Sequence, residues 1–165
     1  MANTNWKFLS RHRRPVEDRR FVAGRGVYVA DIERPGMVHV APLASHHPSA
    51  IINSIDTSGA LAVPGVIDVI TGAEIGKAIQ PLMNGLDTPR VRRFPLAVDR
   101  VRYAGEWVCA VVADSRAIAE DALEKIVVDV TPQPFVLEAE EALDPASPPV
   151  HPEHGSNVLL DKKFV

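Results

Sequence analysis

Residues 106–130, EWVCAVVADSRAIAEDALEKIVVDV, join a nearly uninterrupted apolar run to a strongly periodic segment and then to a second apolar run. Trp107 to Ala113 reads as a strand apolar on both faces, and therefore central in its sheet. Ser115 is placed to cap a helix. Within that helix Ile118, Ala122 and Ile126 recur at i, i+4 and i+8 with Ala119 and Leu123 beside them, while Glu120, Asp121 and Glu124 face outward. Ile126 to Val130 reads as another strand, and a strand, helix and strand with a short return predict a crossover unit.

Working outward, the flanking segments supply further short elements. Residues 36–44, GMVHVAPLA, and 49–56, SAIINSID, are apolar or alternating runs bounded by proline, glycine and polar residues, and both read as strands. Thr57 or Ser58 is placed to cap a short helix carrying Ala60 and Leu61, which Pro64 and Gly65 stop. VIDVIT at 66–71 reads as a strand, with Thr71 placed to cap a second short helix, GAEIGKAI. RVRY at 100–103 adds a strand, and VLEAEEAL at 136–143 a last helix. Residues 80–99 hold three prolines and no period. A loop of that length in a compact domain is usually functional or ordered by a partner. The local reading is mixed α/β in one domain, with elements too short for a nucleotide-binding sheet.

Composition narrows the class. A chain of 165 residues can bury one sizeable core, and with aromatics at only 5% that core must be built from Val, Ile, Leu and Ala. A net charge of -3 argues against nonspecific nucleic-acid binding, which needs a basic surplus. The N-terminus departs from this balance: Arg11, Arg13, Arg14, Arg19, Arg20 and Arg25 stand against Glu17 and Asp18. The interleaved acids favour a contact with a protein surface, or a solvated arm, over nucleic acid or membrane. No apolar stretch follows Arg13-Arg14, and no signal peptide or membrane-spanning run is legible. A single cysteine, Cys109, within an apolar run, fits a buried small residue and a reducing cytoplasm.

The candidate chemical motifs fail on context. Gly24-Arg25-Gly26 is part of a dinucleotide fingerprint, but the strand-like VYVADI follows where a helix N-terminus is required. The glycines read instead as turn residues. His46 and His47 are adjacent, and on a strand they point to opposite faces. His151, Glu153 and His154 have a suggestive spacing, but neighbouring prolines exclude the helix that would bring the two histidines together. His12 and His39 stand alone. Glu17-Asp18 and Glu140-Glu141 are paired carboxylates with no predicted burial, and no serine sits in a Gly-x-Ser-x-Gly elbow. The expectation is no catalytic, cofactor-binding or metal-ligating residue on this chain.

Taken in order, the short motifs resemble the α/β-hammerhead domain that opens the large, molybdenum-binding subunit of the xanthine dehydrogenase/aldehyde oxidase family. Arg14, Glu17 and Asp18 match the family's Arg-x-Glu-Asp segment; Gly24, Gly26, Tyr28, Asp31 and Ile32 match its Gly-x-Gly-x-Tyr-x-x-Asp-Ile turn. Pro35-Gly36-Met37, Ser54 to Thr57, Pro64 to Val66 and Thr71 to Glu74 follow in the family's order. Residues 96–108, LAVDRVRYAGEWV, are similar to its Leu-Ala-x-Asp-x-Val-Arg-Tyr-x-Gly-Glu-x-Val strand pair. The likeness covers roughly residues 11–160. Ala44-Ser45-His46 stands where the family commonly has Arg-Ser-Pro, Ser49-Ala50 where it has His-Ala, and Val130-Thr131 where it has Tyr-Glu.

The resemblance implies an α+β hammerhead with a mixed sheet and short helices. It divides the chain into an Arg-rich arm (1–24), a hammerhead domain (25–143) and a Pro-rich extended segment (144–165). It implies a non-catalytic domain or small subunit of a molybdenum hydroxylase, scaffolding the molybdopterin-binding part and its substrate channel. The general-base glutamate and the seat of the molybdopterin-type cofactor lie, in relatives, in domains beyond the stretch matched here. The implied partners are a molybdopterin-binding catalytic chain, an iron–sulfur subunit and often an FAD subunit, in the cytoplasm, with no nucleic acid and no membrane. The alternative is a stand-alone protein-binding module that reuses the fold without enzyme activity.

Overall fold

The computed structural model describes residues 15–82 and 91–163. Arg11, His12, Arg13 and Arg14, and residues 83–90 of the expected 80–99 loop, lie outside the described residues. Two compact units are present, one ending at Met37 and the other beginning at Val38.

The larger unit is built on two three-stranded sheets. In the first, β5 (Trp107–Ala113) is central, flanked antiparallel by β1 (His39–Ala44) and β3 (Val66–Thr71). Val108, Cys109, Ala110, Val111 and Ala113 are buried, as an apolar central strand requires. In the second sheet, β2 (Ala50–Asp56) is flanked antiparallel by the two-residue β4 (Arg100–Val101) and by β6 (Val127–Pro132). The α+β class is as expected, realised as antiparallel pairing throughout and divided between two sheets.

The expected crossover unit is not formed. α4 (Arg116–Leu123) follows β5, but β6 pairs with β2 in the other sheet. The reason is visible in β6, which alternates half-buried Val128 and Val130 with exposed Val127, Asp129 and Thr131. A strand with one polar face cannot lie inside a parallel sheet covered on both sides. Its register is set instead on the outer face. Asn53, the extra residue at a bulge in β2, donates its amide to Asp129 at 3.1 Å and to the Thr131 hydroxyl at 3.0 Å.

Helix starts follow local chemistry. Ser115 Oγ accepts the Ile118 N–H at 3.3 Å at the head of α4. Thr71 and Glu74 form a reciprocal capping box opening α3 (Gly72–Ala78): Thr71 Oγ accepts the Glu74 N–H, and the Glu74 carboxylate accepts the Thr71 N–H at 2.7 Å. α2 (Ser58–Leu61) departs from expectation, since neither Thr57 nor Ser58 caps it. Asp56 does, accepting the Ser58 N–H at 3.0 Å. The short α5 (Ala139–Ala142) lies within the expected last helix. Ala60, Ala119 and Ala122 are fully buried, so the helices approach the sheets on small side chains. The buried hydrophobic residues are Ala, Val, Leu and Cys, and no aromatic is among them.

The part of the 80–99 loop within the described residues is held by its own domain. Val91, Leu96 and Ala97 are buried, Leu82 N–H donates to the Arg93 carbonyl at 2.7 Å, and Ala97 N–H donates to the Trp107 carbonyl at 2.7 Å.

Candidate functional site

In the smaller unit the glycine pair is explained by helix termination. α1 (Asp18–Val22) ends in a Schellman motif: Arg25 N–H reaches the Arg20 carbonyl at 2.9 Å and Gly24 N–H the Phe21 carbonyl at 3.0 Å. Gly24 occupies the left-handed position that this motif needs, at φ 67°. Gly26 makes room for an aromatic stack, because a Cβ there would stand 2.6 Å from the Phe21 ring, which stacks on Tyr28 with centroids 5.6 Å apart. The expected strand over VYVADI is instead a single 3-10 turn, Val29–Asp31, whose entry is fastened by Tyr28 N–H donating to the Asp31 carboxylate at 2.9 Å. No nucleotide cradle is present in this geometry: the glycines serve a helix end and a ring stack. Val16, Val22, Val27 and Val29 are exposed.

The histidines are dispersed. His46 and His47 lie in the loop after β1 rather than on a strand. Both line one cleft of about 230 Å³, floored by Leu43, Val108, Ile126 and Val130, with no carboxylate or thiol on its walls. His151 and His154 sit in a turn and take different partners, His151 Nδ1 the Glu153 carboxylate at 3.3 Å and His154 Nε2 the Val158 carbonyl at 3.2 Å. Among the described residues no group of three or more His, Cys, Asp or Glu converges as a metal site. Cys109 is fully buried, and burial pushes its thiol up to about 11, which leaves it an inert core residue.

One charged cluster in the larger unit joins residues that motif reading took separately. Arg102 follows β4, and its side chain is only 11% exposed. Its guanidinium lies 3.8 Å from Asp99, 3.8 Å from Glu153, and 3.3 Å from the Arg100 carbonyl, to which it donates. Its buried Nε has no partner among the described residues. Its backbone N–H donates to the Glu106 carboxylate at 2.5 Å, closing the Arg102–Glu106 turn, and Gly105 within that turn has φ 92°. The turn also holds the His46 loop: Gly105 N–H donates to the Ser45 carbonyl at 2.8 Å, and Ser45 N–H to the Glu106 carbonyl at 2.9 Å. Burial raises Glu106 above the ordinary carboxylate range, against the pull of the Arg102 N–H and guanidinium. Burial works to raise Glu153 as well, but its own backbone N–H, the His151 ring and Arg102 together hold it below 4.5. Sequence could not show this cluster, because Glu153 comes from a segment fifty residues away.

Residues 23–134 match the family model for the aldehyde oxidase and xanthine dehydrogenase a/b hammerhead domain. The chain belongs to that family. The hammerhead is 39% identical over 139 residues to the carbon monoxide dehydrogenase large chain of Afipia carboxidovorans, covering 82% of this chain and 17% of that one. It superposes on quinoline 2-oxidoreductase from Pseudomonas putida 86 with a TM-score of 0.72 at 41% identity, covering 78% of this chain and 17% of that chain. It superposes on a Cu,Mo-CO dehydrogenase in its carbon monoxide reduced state with a TM-score of 0.71 at 37% identity, covering 82% and 17%. The hammerhead thus spans about a sixth of the length of the relatives it matches. Its family motifs sort by physical role: Gly24 and Gly26 end a helix and seat a ring, Thr71 and Glu74 cap a helix, and Arg102 to Glu106 close a turn.

Proposed function

We propose that this chain is the hammerhead domain of the large chain of a molybdenum hydroxylase, supplying docking surface while the redox groups reside outside the hammerhead. The observation that carries the reading is the family match over 23–134 together with the small share of each relative that the match occupies.

The molybdenum cofactor does not fit the described residues of this chain. No polar or charged residue is fully buried among them, no set of metal-donor side chains converges, and the His46–His47 cleft has an apolar floor and no cationic side chain of Lys or Arg on its walls. A pterin pyrophosphate needs several convergent donors. No catalytic step is assigned to these residues, and catalysis belongs to the partner domains.

What this chain offers is surface. Val16, Val22 and Val29 in the first unit and Leu137 and Leu143 in the second expose most of their apolar area. These exposed apolar side chains are the ones this reading assigns to contact with neighbouring protein. The partners are the molybdopterin-binding catalytic part and an iron–sulfur subunit, often joined by an FAD subunit, in the cytoplasm. In sequence the arm (1–24) precedes the hammerhead body (25–143) and the Pro-rich segment (144–165) follows it; the arm and the 80–99 loop are the surfaces that neighbours would order. No helix is long and apolar enough to cross a membrane among the described residues.

The test is a pull-down of the tagged chain from its source cell, with metal and mass analysis of what is recovered. Molybdenum-containing partners are expected. Recovery as a lone monomer, or turnover of substrate by the isolated chain, overturns the reading.

A further inference from the structure

We propose that Arg102 is a latch that holds segment 144–163 in one arrangement against the sheets through Glu153. The inference concerns two side chains of this chain and does not rest on the molybdenum reading.

After α5 the chain has no regular secondary structure, and Pro145, Pro148, Pro149 and Pro152 deprive it of ladder donors. Such a segment needs tertiary fastening to stay ordered. Part of the fastening is internal. Asn157 donates its amide to the Ala142 and Pro148 carbonyls, both at 3.2 Å, and its Oδ1 accepts the Val150 N–H at 2.9 Å. His154 N–H and Gly155 N–H both return to the His151 carbonyl, at 2.9 and 3.1 Å. These bonds shape the segment without attaching it to the sheets. Among the described residues the ion pair that makes the attachment is Arg102–Glu153 at 3.8 Å, with Glu153 in turn held by His151.

The pair is placed where it carries weight. A guanidinium only 11% exposed must be compensated, and Asp99, the other carboxylate beside it, is largely in water. Glu153, at 34% exposure, is the better-shielded partner. Arginine suits the role because its Nη1 reaches the Arg100 carbonyl while its Nη2 stands 3.8 Å from carboxylates on two separate segments, a spread that a lysine's single nitrogen does not cover.

Amide hydrogen exchange on the whole 165-residue protein tests the latch, comparing wild type with Glu153→Gln and Arg102→Lys. The reporters are the amides of Val150, His154 and Gly155, whose bonds to Asn157 Oδ1 and the His151 carbonyl open more often once the segment is released from the sheets, with the β5 amides as internal reference. Both variants are expected to exchange about fivefold faster at the reporters with β5 unchanged, the signature of local release. Unchanged reporters in Glu153→Gln overturn the latch. So does acceleration of reporters and β5 by the same factor, which marks general destabilisation. Should Arg102→Lys fail to fold, Glu153→Gln alone decides.

Discussion

Gly72, the first residue of α3, lies so close to the backbone of Ala97 that a Cβ at position 72 would overlap the Ala97 carbonyl oxygen. That oxygen belongs to backbone fixed by the Ala97 N–H bond to Trp107, in the middle of the core. A methyl group cannot be accommodated without moving β5's neighbour. Gly72→Ala is therefore expected to cost about 3 kcal/mol or to prevent folding, read from urea unfolding midpoints. Gly76, one turn later, faces the movable side chain of Val98 at 3.0 Å. There the helical preference for alanine offsets the crowding, and Gly76→Ala should stay within about 1 kcal/mol of wild type.

Cys109 tests the core directly. With its thiol buried and pushed up to about 11, native protein should resist alkylation at about pH 8, and denatured protein should react fully. Cys109→Ser buries a hydroxyl on an apolar strand and should cost about 2 kcal/mol, read from the same unfolding curves. Rapid labelling of native protein would show that β5 is open to solvent.

His151 predicts a pH dependence of one sign. Burial lowers it from its ordinary 6.5; Glu153 pulls the other way, while Arg102 and Arg93 reinforce the fall. The unfolded chain takes up this proton first as pH falls, so stability present above 6.5 is lost as pH drops toward the lowered value. His151→Gln should flatten the stability profile between about pH 7.5 and about pH 5, measured by thermal melts across that range. A profile that keeps the wild-type slope assigns the dependence to another group.

Glu106 predicts the opposite sign. Burial raises it above 4.5, so the folded chain binds this proton before the unfolded chain does. Its contribution is fully present below 4.5 and fades as pH rises through the raised value. Relative to Glu106→Gln, the wild type should gain stability as pH falls from neutrality toward 4.5, read from urea midpoints at the two ends. The glutamine keeps an acceptor for the Arg102 N–H, so the turn itself should survive.

Much of the fold was legible because the relevant signals are local. The apolar run at Trp107–Ala113 reads as a central strand, and the Ile118, Ala119, Ala122 and Leu123 stripe as the buried face of a helix. Thr71 with Glu74, and Ser115 with the Ile118 amide, are caps complete within four residues. The reading of Gly24 as a turn residue was also legible, and the structure places it at φ 67° at the end of α1.

What sequence alone determined was each element that a few neighbouring residues specify, together with family membership carried by motifs in order. Tertiary structure alone decided that β6 leaves β5's sheet for β2, because register depends on Asn53 meeting Asp129 and Thr131 across the bulge. It alone placed Glu153 beside Arg102, a pairing set by the path of a proline-rich segment with no period to read. Hydrogen bonds and dihedral preferences within a turn are encoded by adjacent residues, whereas pairing between distant segments follows from how the whole core closes.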